Sequence, residues 1–168
     1  MEIKSELLLQ YKKLMQTTNI QESYQEIIKF IKHIRANLVT QMDDYDFSSK
    51  VVENQMDFSY FQATKKALKE KGLKIQVVFI HKSCLFEVWM SGYNRAIQRK
   101  YNEILAAVKC PYERCENPEK NDFIVKIPVK KSIGLDQTES MIEEMEYDIR
   151  ELETFFADHK INVYKEKI

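Results

Sequence analysis

Between Glu87 and Gln98 the sequence gathers side chains suited to handling an anion: Glu87, Trp89, Asn94, Arg95 and Gln98. The segment reads as a strand that stops near Gly92 and a helix that Asn94 caps. Glycine accepts a tight turn, and an Asn side-chain oxygen takes up a first-turn amide. Glu87 and Trp89 are two residues apart and share one face of the strand. Arg95 stands in the first helical turn, with Gln98 one turn further on and beside it. If these side chains converge, they line one pocket in which helix N–H groups and the Arg95 guanidinium hold a negative charge. The competing arrangement is structural: a Glu87–Arg95 ion pair pins the strand–helix junction, and Trp89 enters the core.

Three other groups of residues could do chemistry. Lys65, Lys66, Lys69, Lys71, Lys74 and Lys82 have only Glu70 among them as a counter-charge, and Arg95, Arg99 and Lys100 could extend the patch. Basic residues near exposed aromatics suit nucleic acid. A short lysine-rich helix is more often a solvated face, however, so nucleic acid is not the favoured partner. His81, Cys84, Cys110 and Cys115 could supply a zinc site of three thiolates and one imidazole. The Cys110–Cys115 spacing lies at the long edge for a zinc knuckle, and no metal is expected. Cys84 beside His81 is the one local thiol–imidazole pair, but a hairpin turn offers no helix terminus to activate the thiol. His33 and His159 sit among charged neighbours and read as surface residues. Phosphate-loop, H-E-x-x-H and G-x-S-x-G patterns are absent, and no cofactor is expected.

The elements that must position these residues follow from apolar periodicity. Residues 3–16 read as a helix with Ile3, Leu7, Leu8, Tyr11, Leu14 and Met15 on one face. A second helix opens at an Asn19–Glu22 capping box and carries Tyr24, Ile27, Ile28, Ile31, Ile34 and Leu38. Residues 42–55 look irregular. Alternation at Met56, Phe58 and Tyr60 marks a strand at 56–63. A short helix, 65–71, follows from Thr64 and ends at Gly72. Strands at 73–81 and 84–90 make a hairpin, with Val77, Phe79 and Val88 or their face-mates in the core. A helix at 95–108, a loop at 110–121 and a strand through Phe123, Val125 and Ile127 come next. A long helix, 137–158, starts at Asp136–Glu139, and a tail carries Ile161, Val163 and Tyr164. The expected fold is α+β in a single domain, 1–168. It has a mostly antiparallel four-stranded sheet, with an N-terminal helical hairpin and the long C-terminal helix packed on it.

In that last helix Ile142, Met145, Ile149, Leu152 and Phe156 keep a 3-4 spacing, while the other faces are strongly acidic. The stripe either packs on its own sheet or forms an interface. A homodimer is therefore possible, but not a symmetric pairing of two such acidic helices.

Asp57-Phe58-Ser59-Tyr60-Phe61, the run from Leu68 to Ile75, and Phe86 through Arg95 with Gln98 and Tyr101 together form a recognisable pattern. It resembles a small uncharacterised bacterial family of about this length, a domain of unknown function. The resemblance implies no activity. The segment order also resembles the core of PD-(D/E)xK nucleases. That chemistry needs a lysine two positions after an acid, and here Trp89 follows Glu87 at that spacing.

Composition narrows the classes. The 168 residues carry 26 basic and 26 acidic side chains, so no whole-molecule field recruits nucleic acid or anionic lipid. A chain this long can hold a core without disulfides. The charged start lacks a signal-peptide core, and no apolar run approaches the ~20 residues that span a bilayer. Three cysteines, an odd number, fit reduced thiols in a cytoplasm. The reading favours a module that binds an unidentified small molecule or protein, with an anion pocket at 87–98, over an enzyme. The alternative is a nuclease-like fold or other anion-handling enzyme centred on Glu87 and Arg95, with a degenerate catalytic motif.

Overall fold

The computed structural model describes residues 4–47, 49–132, 136–157 and 161; the expectations for Ile3, His159, Val163 and Tyr164 fall outside them. In chain order the elements are α1 (Ser5–Thr17), α2 (Ile20–Gln41), β1 (Val52–Asn54), β2 (Phe58–Ala63), α3 (Lys66–Glu70), β3 (Leu73–Ile80), β4 (Leu85–Gly92), α4 (Arg95–Ala106), β5 (Glu113–Arg114), β6 (Val125–Pro128) and α5 (Thr138–Ala157). The strands form one antiparallel sheet in the order β1-β2-β3-β4-β6-β5.

The β3–β4 hairpin is central, as its apolar run predicts. Ile75, Val77 and Phe79 pair with Met90, Val88 and Phe86, and all six are buried. Phe61 and Ala63 of β2 and Val125 of β6 continue this face. Against it pack Ile28, Ile31, Ile34 and Leu38 of α2, Leu68 of α3, Tyr101, Ile104 and Leu105 of α4, and the α5 stripe. Ile142, Met145, Ile149, Leu152 and Phe156 are all buried, with Met141 widening the stripe. This face of α5 is therefore core and is closed to a second copy.

The sheet has six strands, not four. The additional ones are β1 and β5, of three and two residues, within stretches that read as irregular. Strands so short show no usable alternation; their neighbours pair them into the sheet. The 42–51 stretch is also better anchored than its polarity implies. Met42, Tyr45 and Phe47 are buried, and Arg35 donates to the carbonyls of Phe47 and Ser49. In β2 the core-facing parity is Phe61 and Ala63, so Phe58 and Tyr60 point to the other side.

Two expected caps are not made by their side chains. Asn19 makes no capping hydrogen bond, and α3 is preceded by Lys65 without one. Thr64 instead bridges to Asp46 through its backbone. The larger correction concerns α1, which buries none of its residues. Leu7, Leu8, Leu9, Tyr11 and Leu14 are exposed. The four buried α2 residues already occupy the core surface that a packed helical hairpin would have shared with α1.

One carboxyl group is buried with the α5 stripe. Asp148 is 7% exposed and its Oδ2 has no hydrogen-bond partner among the described residues. Burial, then the nearby Glu144, raises its pKa to about 7, against the pull of Lys130 and with a further push from Glu151. The folded chain thus keeps a proton that the unfolded chain releases near 3.8. The stabilising effect of that proton is complete below the unfolded value and is lost as pH rises through about 7. Asp148→Asn is expected to remove this slope and to stabilise the protein above neutral pH by roughly 1–3 kcal/mol. Urea unfolding across pH tests it, and an unchanged slope would refute the assignment. Val77→Asp, a charge placed in the sealed centre of the sheet, is expected to cost several kcal/mol and unfold the chain; an unaltered melting curve would contradict the placement of β3.

Candidate ligand-binding site

Strand pairing places a second, less apolar row on the sheet face opposite the helices. Lys74, Gln76 and Val78 alternate with the core residues of β3. Gln76 lies opposite Gln62 on β2 and Trp89 on β4, and Lys74 lies opposite Ser91. Phe58 and Tyr60 of β2, paired with Asn54 and Val52 of β1, complete the row. Val78 and Trp89 are buried yet stand apart from the main hydrophobic cluster, to which the buried apolar residues of α2 through α5 belong. The apolar stripes of α2 through α5 therefore pack on the other face of the sheet.

Its concave end is a cavity of about 380 Å³. The floor is Phe58, Tyr60, Lys74 and Gln76, one side is Val52 and Asn54, and the other is the start of α4 with Tyr93 and Asp122. Gly92 makes this junction possible. A Cβ there would stand 2.8 Å from the Gln98 backbone nitrogen, so only glycine lets the first turn of α4 come so close to the strand end.

The five side chains singled out from the sequence divide into two groups. Asn94, Arg95 and Gln98 line the cavity. Asn94 caps α4, its Oδ1 accepting the Ile97 N–H at 3.0 Å. Gln98 is buried; its Oε1 accepts the Gly92 N–H at 2.9 Å and its Nε2 donates to the Asn121 carbonyl at 3.4 Å. Arg95 donates to the carbonyls of Pro118 (3.0 Å) and Asn121 and pairs with Asp122 at 2.7 Å. Much of its donor capacity thus holds the 118–122 loop against α4. Glu87 and Trp89 are not in the cavity wall. Glu87 accepts from the Trp89 indole at 2.6 Å and from Lys126 at 3.0 Å, and forms no ion pair with Arg95. The Trp89 ring packs between Phe58 at 5.4 Å and Phe123 at 5.2 Å, behind the cavity floor rather than in its wall.

Sequence reasoning did not single out Lys74 and Gln76 for this site. Lys74 is half-buried, and burial lowers its pKa while Asp122, acting at longer range, opposes the shift. Among the described residues its ammonium has no hydrogen-bond or ion-pair partner, only the Tyr93 ring with its centroid at 5.7 Å. The Gln76 side chain, in a residue 5% exposed, likewise makes no hydrogen bond within the described residues. A signal was present: these are the two polar residues of the most apolar strand, two apart and hence on one face. The neighbouring lysines differ. Lys65 pairs with Asp44 and Glu153, Lys69 with Asp46, and Lys66 lies 3.9 Å from Glu70. The basic run is thereby largely neutralised.

Other constellations are structural. Ser59 Oγ lies 2.9 Å from His81 Nε2, and the His81 ring stacks on Tyr24, whose hydroxyl donates to Glu53 at 2.6 Å. Ser59 is fully buried, out of reach of a substrate. Cys84 is exposed, Cys110 half-buried with burial raising its pKa, and Cys115 buried. Among the described residues no three His, Cys, Asp or Glu side chains gather as a metal site. Asp57 lies in the β1–β2 turn, and neither it nor Glu87 lines the cavity. No helix among the described residues is long and apolar enough to cross a membrane.

No curated protein and no solved structure matches the chain. One family does, over residues 4–159, and its description is a domain of unknown function. Because the match takes in α1 through α5 and every strand between them, the protein belongs to the DUF7000 family.

Proposed function

We propose that this chain is a single-domain small-ligand-binding module whose ligand is an anion with a flat apolar body, held on the open sheet face with its charge at Lys74. The observation that carries this reading is the half-buried ammonium of Lys74, which faces the cavity with no hydrogen-bond or ion-pair partner among the described residues. A lysine on a central strand is costly to desolvate unless something compensates its charge. The cavity volume of about 380 Å³ is within the range of small-molecule sites. Phe58, Tyr60 and Tyr93 offer ring faces and edges for a planar body, and the amides of Asn54, Gln76 and Asn94 offer orienting hydrogen bonds. Arg95 serves the site by holding the 118–122 loop, with its charge already shared with Asp122.

An anion-handling enzyme is the second reading, and the cavity supports it less well. Asp122 is the one carboxylate among the lining residues, and it is ion-paired. The wall thus lacks a second carboxylate, so it offers no carboxylate pair to divide the roles of acid and base.

Trp89 is the only tryptophan and packs on Phe58 of the cavity floor, so its emission reports on occupancy. Titration with benzoate is expected to give a saturable change that neutral benzamide does not give. Lys74→Met is expected to weaken benzoate binding roughly 10- to 100-fold, the worth of one charge-assisted hydrogen bond, while the fold is kept. Affinity is also expected to fall as pH rises through the lowered Lys74 pKa, because the neutral amine holds an anion poorly. Equal benzoate affinity in Lys74→Met and the parent chain would sink the proposal.

A further inference from the structure

Two buried glutamines line the cavity beside α4, and they differ in what holds them. Gln98 is 2% exposed, and both ends of its amide are engaged: Oε1 accepts the Gly92 N–H and Nε2 donates to the Asn121 carbonyl. Gln76 is 5% exposed, yet among the described residues neither end of its amide has a hydrogen-bond partner. Gln98 is thus an amide the fold uses, and Gln76 is one the fold leaves unexplained. Burying an amide without hydrogen bonds is unfavourable, and buried polar side chains are as a rule paired.

The surroundings of Gln76 would suit an apolar side chain. It lies opposite Trp89 on β4 and shares its sheet face with Val78, both buried, while Phe58 and Tyr60 share the cavity floor with it. A leucine there could pack at no polar cost. The amide instead offers the cavity an acceptor oxygen beside a donor nitrogen.

Its position relative to Lys74 gives this pair of groups a meaning. The two residues are two apart on one face of β3, which is roughly 6.6 Å along the strand. That is comparable with the span from the carboxylate of an aromatic acid to the far edge of its ring. An acid whose charge is held at Lys74 therefore brings its ring edge to Gln76, and the ring displaces water from the amide. A hydrocarbon edge would leave the donor and the acceptor dry and unpaired, a cost that falls on binding.

We propose that Gln76 is the specificity-determining residue of the site, and that the flat body of the anion is a heterocycle whose edge carries a donor and an acceptor side by side, as a lactam does. The ligand N–H donates to Gln76 Oε1, and Gln76 Nε2 donates to the ligand carbonyl. The inference rests on Lys74 as the seat of the charge and adds what the ring must be. Other polar groups of the wall are less suited to this role. Asn94 Oδ1 caps α4, Arg95 and Asp122 pair with each other, and Asn54 is only partly buried at the β1 side, where water can serve its amide.

Calorimetric titration of the full chain with three acids tests the inference. A pyridone carboxylate with its carboxylate para to the ring carbonyl carries the donor and the acceptor. Its N-methyl form keeps the acceptor and loses the donor, and benzoate lacks both. The parent chain is expected to bind the pyridone carboxylate about tenfold more tightly than either of the others. Gln76→Leu is expected to lose this preference, so that the three acids bind alike, and to melt no lower than the parent, because nothing described in the fold holds the amide. A pyridone carboxylate that binds the parent chain no better than benzoate overturns the inference, and this comparison needs no variant. So does a preference that persists in the N-methyl form or in Gln76→Leu, or a Gln76→Leu chain that melts well below the parent, which would mark the amide as structural. If benzoate is still held through Lys74, these results overturn this inference alone. Benzoate that does not bind at all overturns the anion reading, and the inference with it.

Discussion

Everything in this fold is attached to the eight-residue ladder between β3 and β4, from Leu73 opposite Gly92 to Ile80 opposite Leu85. Its register has consequences on both faces. On one side it aligns Ile75, Val77 and Phe79 with Met90, Val88 and Phe86, giving α2, α4 and α5 a continuous apolar surface. On the other it brings Gln76 beside Trp89 and Lys74 beside Ser91. A shift of one residue would exchange the two faces and set Lys74 into the core, at a cost that excludes it. At the open end of the ladder Gly72, with φ of +72°, turns the chain into β3, and its carbonyl accepts the Tyr93 N–H at 2.9 Å. That closure fixes where β4 ends and α4 begins, and so fixes the wall of the cavity.

The elements most visible in the sequence are those long enough to show a period of their own. The β3–β4 hairpin, the α2 stripe and the α5 stripe each declare themselves by a period and a length. Strands β1 and β5 do not, because a segment of two or three residues has no period; their existence is decided by partners elsewhere. Helix α1 shows the opposite case. Its pattern is legible as a helix, but periodicity reports only that a face is apolar. It does not report what covers that face, and α2 had already filled the available core.

The candidate site was legible to the same extent. Gly92, Asn94 and Gln98 meet through contacts spanning a few residues, so spacing alone brings them together. The partners of Glu87 and Arg95 are Lys126 and Asp122, from a part of the chain that no local spacing connects to them. Two unlike charges eight positions apart looked like a pair and were each satisfied elsewhere. Lys74 was read with the basic run from Lys65 to Lys82 and not with the site: in a strand that is otherwise core, the polar residues are easily taken as interruptions, although they define a second face.

The order of strands in the sheet also bears on how the protein is made. β4 lies inside the finished sheet, between β3 and β6, with β5 outermost. During synthesis, however, β6 emerges after β4, α4 and β5, so one side of β4 has no hydrogen-bonding neighbour for that interval. An unpaired edge bearing Val88, Trp89 and Met90 invites pairing with other nascent chains. Helix α4, which follows β4 at once and packs on the same core, is the first later element available to cover the hairpin. The junction at Gly92 holds the first turn of that helix against the strand end, so the element that covers this stretch of chain is tied directly to β4.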